Sequence, residues 1–411
     1  MSANDAYDGL IVGAGPAGSF AAERLARGGA RVALFDGRPA GEAKACGGGV
    51  TSKALKAWPF LLEAMGRMVD EVEMYSPAGK RVRLKLREPF AIYSRRAFDS
   101  YLRERARAAG AHVFEGRVSA PARENETELW TVRERGGAEW RGRVLVAADG
   151  ANSPIARRLA GAIANSEMEV AFGYRTPLPE HEQDAPTVVA FLPRWAGYAW
   201  AFPRLDHISF GIATAQDTFD HETLDRLLWD FMRGYYRMRD DKRAPLWSNA
   251  KTGRHAKDAR DVEIEEKLRA VAGRYAARIP GLKPETLRAR RTAGDDWALL
   301  GDAAGFADPV TGEGIFYALR SAELFAESYA RGSVAAYEEL WRADFGRELC
   351  RASEMRRRFY GNFMGAPFTE RMIDFARVHG GIRRTLCELV AGDQGYVNLK
   401  GMLARRAVWP V

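Results

Sequence analysis

"DGLIVGAGPAGSFAAERLARGGARVALFD", residues 8–36, sets the fold class. An apolar run from Leu10 to Val12 leads into Gly13, Gly15 and Gly18 at G-x-G-x-x-G spacing, and a helix-forming stretch follows. Gly13 permits a tight turn, Gly15 lets the backbone approach a pyrophosphate at the helix N-terminus, and Gly18 lets helix and strand pack closely. A second strand, RVALFD, ends in Asp36, 23 positions after Gly13, where a carboxylate can accept the ribose hydroxyls of an adenosine. Strand, glycines, helix, strand and acid in this order predict a Rossmann-type dinucleotide unit at the start of an α/β chain.

The remaining composition bounds what that unit serves. The chain has 411 residues, enough for two or three domains, and its 46% hydrophobic and 28% charged content excludes disorder and fibrous repeats. No window holds 18 apolar residues, and the N-terminus runs into a strand without a basic leader, so a cytoplasmic protein is expected. Cys46, Cys350 and Cys387 show no C-x-x-C spacing, and three thiolates do not hold an ordinary iron–sulfur cluster. Six scattered histidines give a metal site no support. From Trp341 onward 13 Lys and Arg face 7 Asp and Glu, a net +6 of the whole chain's +8. Such a basic segment suits an anionic membrane surface or a phosphorylated substrate better than nucleic acid, for which no motif is present.

NAD and FAD both use the opening unit, and two later stretches choose between them. VLVAADGANSPIARRLAG is an apolar strand ending at Asp149-Gly150 before a helix start. DWALLGDAAGFADPVTGEGIFYALRSAELFAE is another, ending at Gly301-Asp302, with a helix opening near Gly312-Glu313-Gly314. Each places an acid at the carboxyl end of a buried strand, where α/β sheets bind ligands. With Asp36, Asp149-Gly150 and Gly301-Asp302 followed by PVTGEGI, the chain resembles the hydroxylase-like branch of the glutathione-reductase-type flavoproteins over roughly its first 335 residues. That resemblance implies FAD, with Asp302 at the ribityl–pyrophosphate region and the backbone of Gly312 to Ile315 at the flavin's pyrimidine edge. A helix N-terminus there stabilises negative charge on a reduced flavin. Arg95 matches the arginine these proteins place near FAD, and Ala17, Arg38 and Val118 complete the implied cofactor set. No second G-x-G-x-x-G occurs, so the reductant, whether NADPH, ferredoxin or a quinol, has no visible domain of its own.

Between about Ser166 and Arg291 the residues alternate in polarity, which predicts an antiparallel sheet forming a substrate domain. In GYAWAFP, Tyr198, Trp200 and Phe202 share one face while Gly197, Ala199, Ala201 and Pro203 share the other. The aromatic face suits the wall of an apolar tunnel or ordinary core packing. Earlier, EVEMYSPAGKRVRLKLREPF reads as a hairpin around Pro77-Ala78-Gly79, with Arg81, Arg83, Lys85 and Arg87 opposite Val82, Leu84 and Leu86.

KACGGGV, YAWAFP and DPVTGEGI together resemble the geranylgeranyl reductase family, whose members saturate carbon–carbon double bonds of isoprenoid chains. Cys46 to Gly49 match its C-G-G-G, and Tyr198, Trp200, Phe202 and Pro203 its Y-x-W-x-F-P. Trp195 stands where the family often has proline; the nearest is Pro193, which bears on the pocket mouth and hence on chain length or head group. The resemblance implies that Cys46, Gly47 and Gly48 lie beside the flavin, that Tyr198, Trp200 and Phe202 line the substrate, and that Cys46 and Tyr198 are the catalytic candidates. Three glycines let backbone pass tight against a flat ring system. A different reaction class stays open: a flavin monooxygenase or halogenase shares the fold, and Y-x-W-x-F-P is not far from a halogenase W-x-W-x-I-P. A flavin-bound quinone or lipid carrier is a third reading.

After Arg331 helices are expected, with Met355, Phe359, Phe363 and Met364 on one helical face opposite Arg356 to Arg358. The expected organisation is therefore an FAD-binding domain over 1–165, with a hairpin at about 69–92 contributing to the substrate domain of 166–291. The FAD-binding domain resumes over 292–335, and a helical region follows over 336–411. The expected partners are an isoprenoid lipid or prenylquinone, an external electron donor and an anionic membrane at the inner face.

Overall fold

The computed structural model describes residues 6–38, 44–119, 121–123, 128–134, 137–178, 184–193, 195–215, 220–241, 243–247 and 259–408. The chain divides into two units, one of residues 1–44, 95–168 and 278–354, the other of 45–94, 169–277 and 355–411. Residues 45–68 thus go with the second unit and 336–354 with the first.

In the first unit five strands run parallel in the order His112–Glu115, Val32–Asp36, Tyr7–Val12, Glu139–Ala147 and Trp297–Leu299. Leu10 lies in register with Ala33 on one side and Leu145 on the other, and all three are buried. Strands covered on both faces read as continuous apolar runs, which is why VALFD and VLVA carry no alternation. The helix Pro16–Arg27 packs against the helices Ile315–Ala330 and Arg95–Ala108. Trp130–Arg133 extends the sheet antiparallel to Glu139–Ala147.

The second unit is built on an eight-stranded sheet that includes Met168–Pro177, His207–Ala215, Gly197–Pro203, Val188–Phe191, Gly66–Tyr75 and Arg81–Tyr93 in that order. Met168–Pro177, His207–Ala215, Gly197–Pro203 and Val188–Phe191 pair antiparallel in that order, as expected, and Val188–Phe191 runs parallel to Gly66–Tyr75. The hairpin turns at Pro77-Ala78-Gly79, with Val82, Leu84 and Leu86 buried and Arg83, Lys85 and Arg87 exposed. Each face of the sheet has its own cover. Ala199 and Ala201, the small-residue face of GYAWAFP, are buried with Leu224, Leu228 and Phe231 of the helix His221–Asp240. Val82, Leu84 and Leu86 are buried with Ile373 and Leu386 of the C-terminal helices Phe368–Val378 and Gly380–Ala391.

One helical expectation fails at its end. The helix Arg347–Phe359 carries Met355 and Phe359, but Phe363 lies in a short hairpin of Asn362–Phe363 with Ala366–Pro367, and Met364 takes a left-handed φ of 49°. Gly361 and Gly365 flank this tip, and glycine's freedom of backbone outweighs the apolar spacing that suggested one helix.

Candidate functional site

The dinucleotide loop of the first unit is shaped by close approach. Gly13 has a φ of 105°, and a β-carbon there would lie 2.3 Å from the Ala148 carbonyl oxygen; one on Gly18 would lie 1.9 Å from the Gly13 oxygen. A β-carbon on Gly15 would meet no atom within 4 Å. The turn is packed behind and open in front, at the N-terminus of Pro16–Arg27, whose N–H groups receive no side-chain cap. Such a terminus offers partial positive charge and hydrogen-bond donors to a phosphate.

Asp36, at the end of its strand, is buried and already engaged. Its carboxylate accepts from the Arg38 backbone N–H and Nε, each at 3.2 Å, and pairs with Arg103 at 3.0 Å. Arg38 also donates to Asp99 at 2.6 Å and to the Ala14 carbonyl at 3.2 Å. Arg95 is 3% exposed and pairs with Asp99 one helical turn on, at 2.9 and 3.0 Å. Burial pushes the Asp99 carboxyl up, but the Arg95 and Arg38 guanidiniums outweigh it and hold it below its usual range. The result is an alternating row, Arg95, Asp99, Arg38, Asp36, Arg103, that fixes the glycine loop through Ala14. Val118 sits half-buried on a single bridge to Glu134.

The other two acids follow the carboxyl ends of two further parallel strands of the same sheet, Glu139–Ala147 and Trp297–Leu299. Asp149 follows Ala148, against which Gly13 packs; its Oδ1 is buried with no partner, and burial pushes its carboxyl up to about 6. Asp302 sits in the short turn Gly301–Ala303, 3.5 Å from Lys44 Nζ, and a β-carbon on Gly314 would lie 3.0 Å from its Oδ1. Gly312 has a φ of 71°, and Gly314 precedes the helix Ile315–Ala330, whose N-terminus also lacks a side-chain cap. Two uncapped helix starts, an open glycine cradle and an unpartnered buried carboxylate oxygen form a donor and acceptor set that fits the phosphates and hydroxyls of FAD.

The second unit holds the C-G-G-G turn against the aromatic face. A β-carbon on Gly47 would lie 3.2 Å from the Phe202 ring and 3.4 Å from Trp200 Nε1, and one on Gly49 would lie 3.5 Å from Phe202. Gly48, at a φ of 82°, would clash with the Tyr93 carbonyl at 2.2 Å. The rings of Tyr198, Trp200 and Phe202 follow one another at 5.9 and 6.4 Å. Trp200 is buried with its Nε1 unpartnered, whereas Tyr198 and Phe202 are half-buried. Cys46 is half-buried and forms no disulfide, and its Sγ accepts from the Gly48 N–H at 3.3 Å.

The chain is similar to known proteins over most of its length. Residues 6–191 match the FAD binding domain family. A geranylgeranyl diphosphate reductase of Synechocystis sp. is 30% identical over 77% of this chain and 74% of its own length. The chain belongs to the geranylgeranyl reductase family. Like that family it is an FAD-dependent oxidoreductase. A digeranylgeranylglycerophospholipid reductase of Methanosphaerula palustris is 27% identical over 86% of both chains. The crystal structure of a geranylgeranyl bacteriochlorophyll reductase-like protein of Thermoplasma acidophilum shares the fold, with a TM-score of 0.70 at 20% identity over 98% of this chain and 99% of that one.

Within this geranylgeranyl reductase fold the sequence reading missed Arg204, next after the motif's Pro203. It is 3% exposed, and its Nη2 donates to the Cys46 carbonyl at 2.7 Å and the Gly47 carbonyl at 3.1 Å. Tyr275 was missed too. Its hydroxyl donates to the Phe210 carbonyl at 2.7 Å and contacts Ser209 Oγ at 2.8 Å, and burial pushes it up to about 12. The sequence carried no signal for Arg204, since an arginine just beyond a strand motif reads as a solvated strand end.

Proposed function

We propose that this protein saturates carbon–carbon double bonds of a long isoprenoid chain carried on a lipid, a diphosphate or a prenylquinone. The observation that carries this reading is the C-G-G-G backbone lying against Trp200 and Phe202 and tied to the same strand's end by Arg204. When bound and reduced, FAD supplies the hydride that one alkene carbon receives. A proton must reach the other carbon, and the candidates to hold it are the Cys46 thiol and the Tyr198 hydroxyl.

An isolated alkene has no carbonyl to polarise, so catalysis depends on positioning and on keeping water out. Tyr198, Trp200 and Phe202 offer the apolar, π-rich face for that, and aromatic faces also favour cationic character on carbon. Arg204 is a positioning residue that fixes the turn bearing Cys46. In the first unit Gly13, Gly15, Ala17 and Gly18, with Asp36, Arg38, Arg95 and Val118, are proposed to hold the adenosine side of FAD. Asp149, Gly301, Asp302, Gly312, Gly314 and Ile315 are proposed to hold its ribityl and ring side. The uncapped start of Ile315–Ala330 would stabilise negative charge there. The reductant is proposed to be NADPH, ferredoxin or a quinol.

Product mass tests this reading. Purified protein given a reductant and a geranylgeranyl lipid should yield products heavier by two hydrogens for each double bond. A gain of an oxygen or a halide would instead favour monooxygenase or halogenase chemistry.

A further inference from the structure

The second unit carries all the large apolar side chains that are strongly exposed among the described residues, and four of them form a stripe. At its start is the hairpin tip, with Phe363 43% and Met364 72% exposed. The tip abuts the helix Phe368–Val378: the Phe363 and Phe368 rings lie 6.1 Å apart, and Arg371 Nη2 donates to the Met364 carbonyl at 2.9 Å. Along that helix Phe368, Arg371, Phe375 and Val378 share one face, while Thr369, Met372, Ile373 and Ala376 are buried on the other. Phe375 is 43% and Val378 84% exposed.

Basic groups stand at both ends of this stripe. Arg357 and Arg358 close the helix Arg347–Phe359 just before the tip, and both are exposed. At the other end Arg377 is exposed, and Arg383 donates to the Ala376 and Arg377 carbonyls at 2.8 Å. The acids of the same helix are turned to other work: Glu370 accepts from the Ala78 N–H and pairs with Lys80, as does Asp374. An apolar strip with arginine at each end, its two acids drawn to the shared Lys80, is the chemistry of a surface that enters lipid headgroups carrying negative charge. A partner protein of opposite charge would need acids facing the arginines but would leave the protruding Met364 and Val378 without cause.

We propose that Phe363, Met364, Phe375 and Val378, with Arg357, Arg358 and Arg377, form a docking surface for an anionic lipid bilayer. The surface goes beyond the isoprenoid reading and is tested without catalysis. The flavin-loaded protein is sedimented with vesicles of phosphatidylcholine alone and of phosphatidylcholine with phosphatidylglycerol. Binding should require the anionic lipid and weaken with added salt. Arg357→Gln with Arg358→Gln should weaken it, at roughly fivefold per charge removed. Met364→Ser with Val378→Ser should reduce it by at least a similar factor while flavin content and melting temperature stay unchanged, since both side chains are exposed. Failure to sediment, equal binding to neutral vesicles, or binding untouched in both variants would overturn the proposal. So would a dimer that Met364→Ser with Val378→Ser dissociates, because the stripe would then be covered by a second copy of the chain.

Discussion

Arg204 reaches back from the end of the aromatic strand to donate to the carbonyl of Cys46 at 2.7 Å, across 158 positions of chain. One guanidinium thereby holds two consecutive carbonyls of the C-G-G-G turn. Removing it leaves both acceptors without this donor, at a cost of about 2–3 kcal/mol for charge-assisted bonds. Arg204→Met should lower the melting temperature and should cut turnover more than it cuts flavin content. Arg204→Lys, a point charge without the planar fork, should restore only part of the turnover. Equal loss of flavin and turnover in both variants would remove the positioning role.

Cys46 separates a packing role from a chemical one. Serine keeps an acceptor near the Gly48 N–H, which now donates to Sγ at 3.3 Å, whereas alanine does not. If the thiol holds the proton, Cys46→Ser and Cys46→Ala should both slow turnover by tenfold or more, on the scale of general acid catalysis. Their flavin spectra and melting temperatures should stay near those of the parent. Full activity in Cys46→Ala would confine the thiol to filling space and leave Tyr198 as the candidate.

The two glycines of the cofactor loop should respond in opposite ways. Gly13→Ala forces a β-carbon into the Ala148 carbonyl and should destabilise the protein with or without flavin. Gly15→Ala places its methyl in open space, so the flavin-stripped protein should melt as the parent does while flavin affinity drops. Thermal melts of stripped and reconstituted protein distinguish these outcomes.

Much of this was legible along the chain. G-x-G-x-x-G, the two strand-end acids and the alternation of Tyr198, Trp200 and Phe202 are local patterns, and local patterns survive reading in one dimension. Arg204 on Cys46, Arg38 on Asp99 and the placing of residues 45–68 with the second unit are non-local, and sequence spacing carries no trace of them. The ion-pair row around Asp36 shows the same limit: the acid was visible, its engagement by Arg38 and Arg103 was not. At Phe363 and Met364 the apolar spacing misled, because Gly361 and Gly365 turn the backbone before another helical turn can form.

Asp149 gives a pH dependence with a definite sign. Its folded-state carboxyl is pushed up to about 6 by burial, from an ordinary value of 3.8, so the native state binds the extra proton between those values. Stability of the flavin-stripped protein should therefore fall as pH rises from about 4 to about 6, by roughly 3 kcal/mol at most. Asp149→Asn removes this dependence: it should raise the melting temperature above pH 6 and have little effect near pH 4. A variant less stable than the parent at pH 8 would show that the buried Oδ1 has found a donor.

Single-turnover reoxidation tests the central claim most directly. The yellow protein is reduced with dithionite under strict exclusion of oxygen and mixed with a geranylgeranyl lipid or menaquinone, and flavin absorbance is followed with product mass. Isoprenoid reduction predicts oxidised flavin in step with a product heavier by two hydrogens. Flavin that stays reduced with every isoprenoid, then reoxidises only when oxygen enters and leaves a product heavier by an oxygen or a halide, would contradict it.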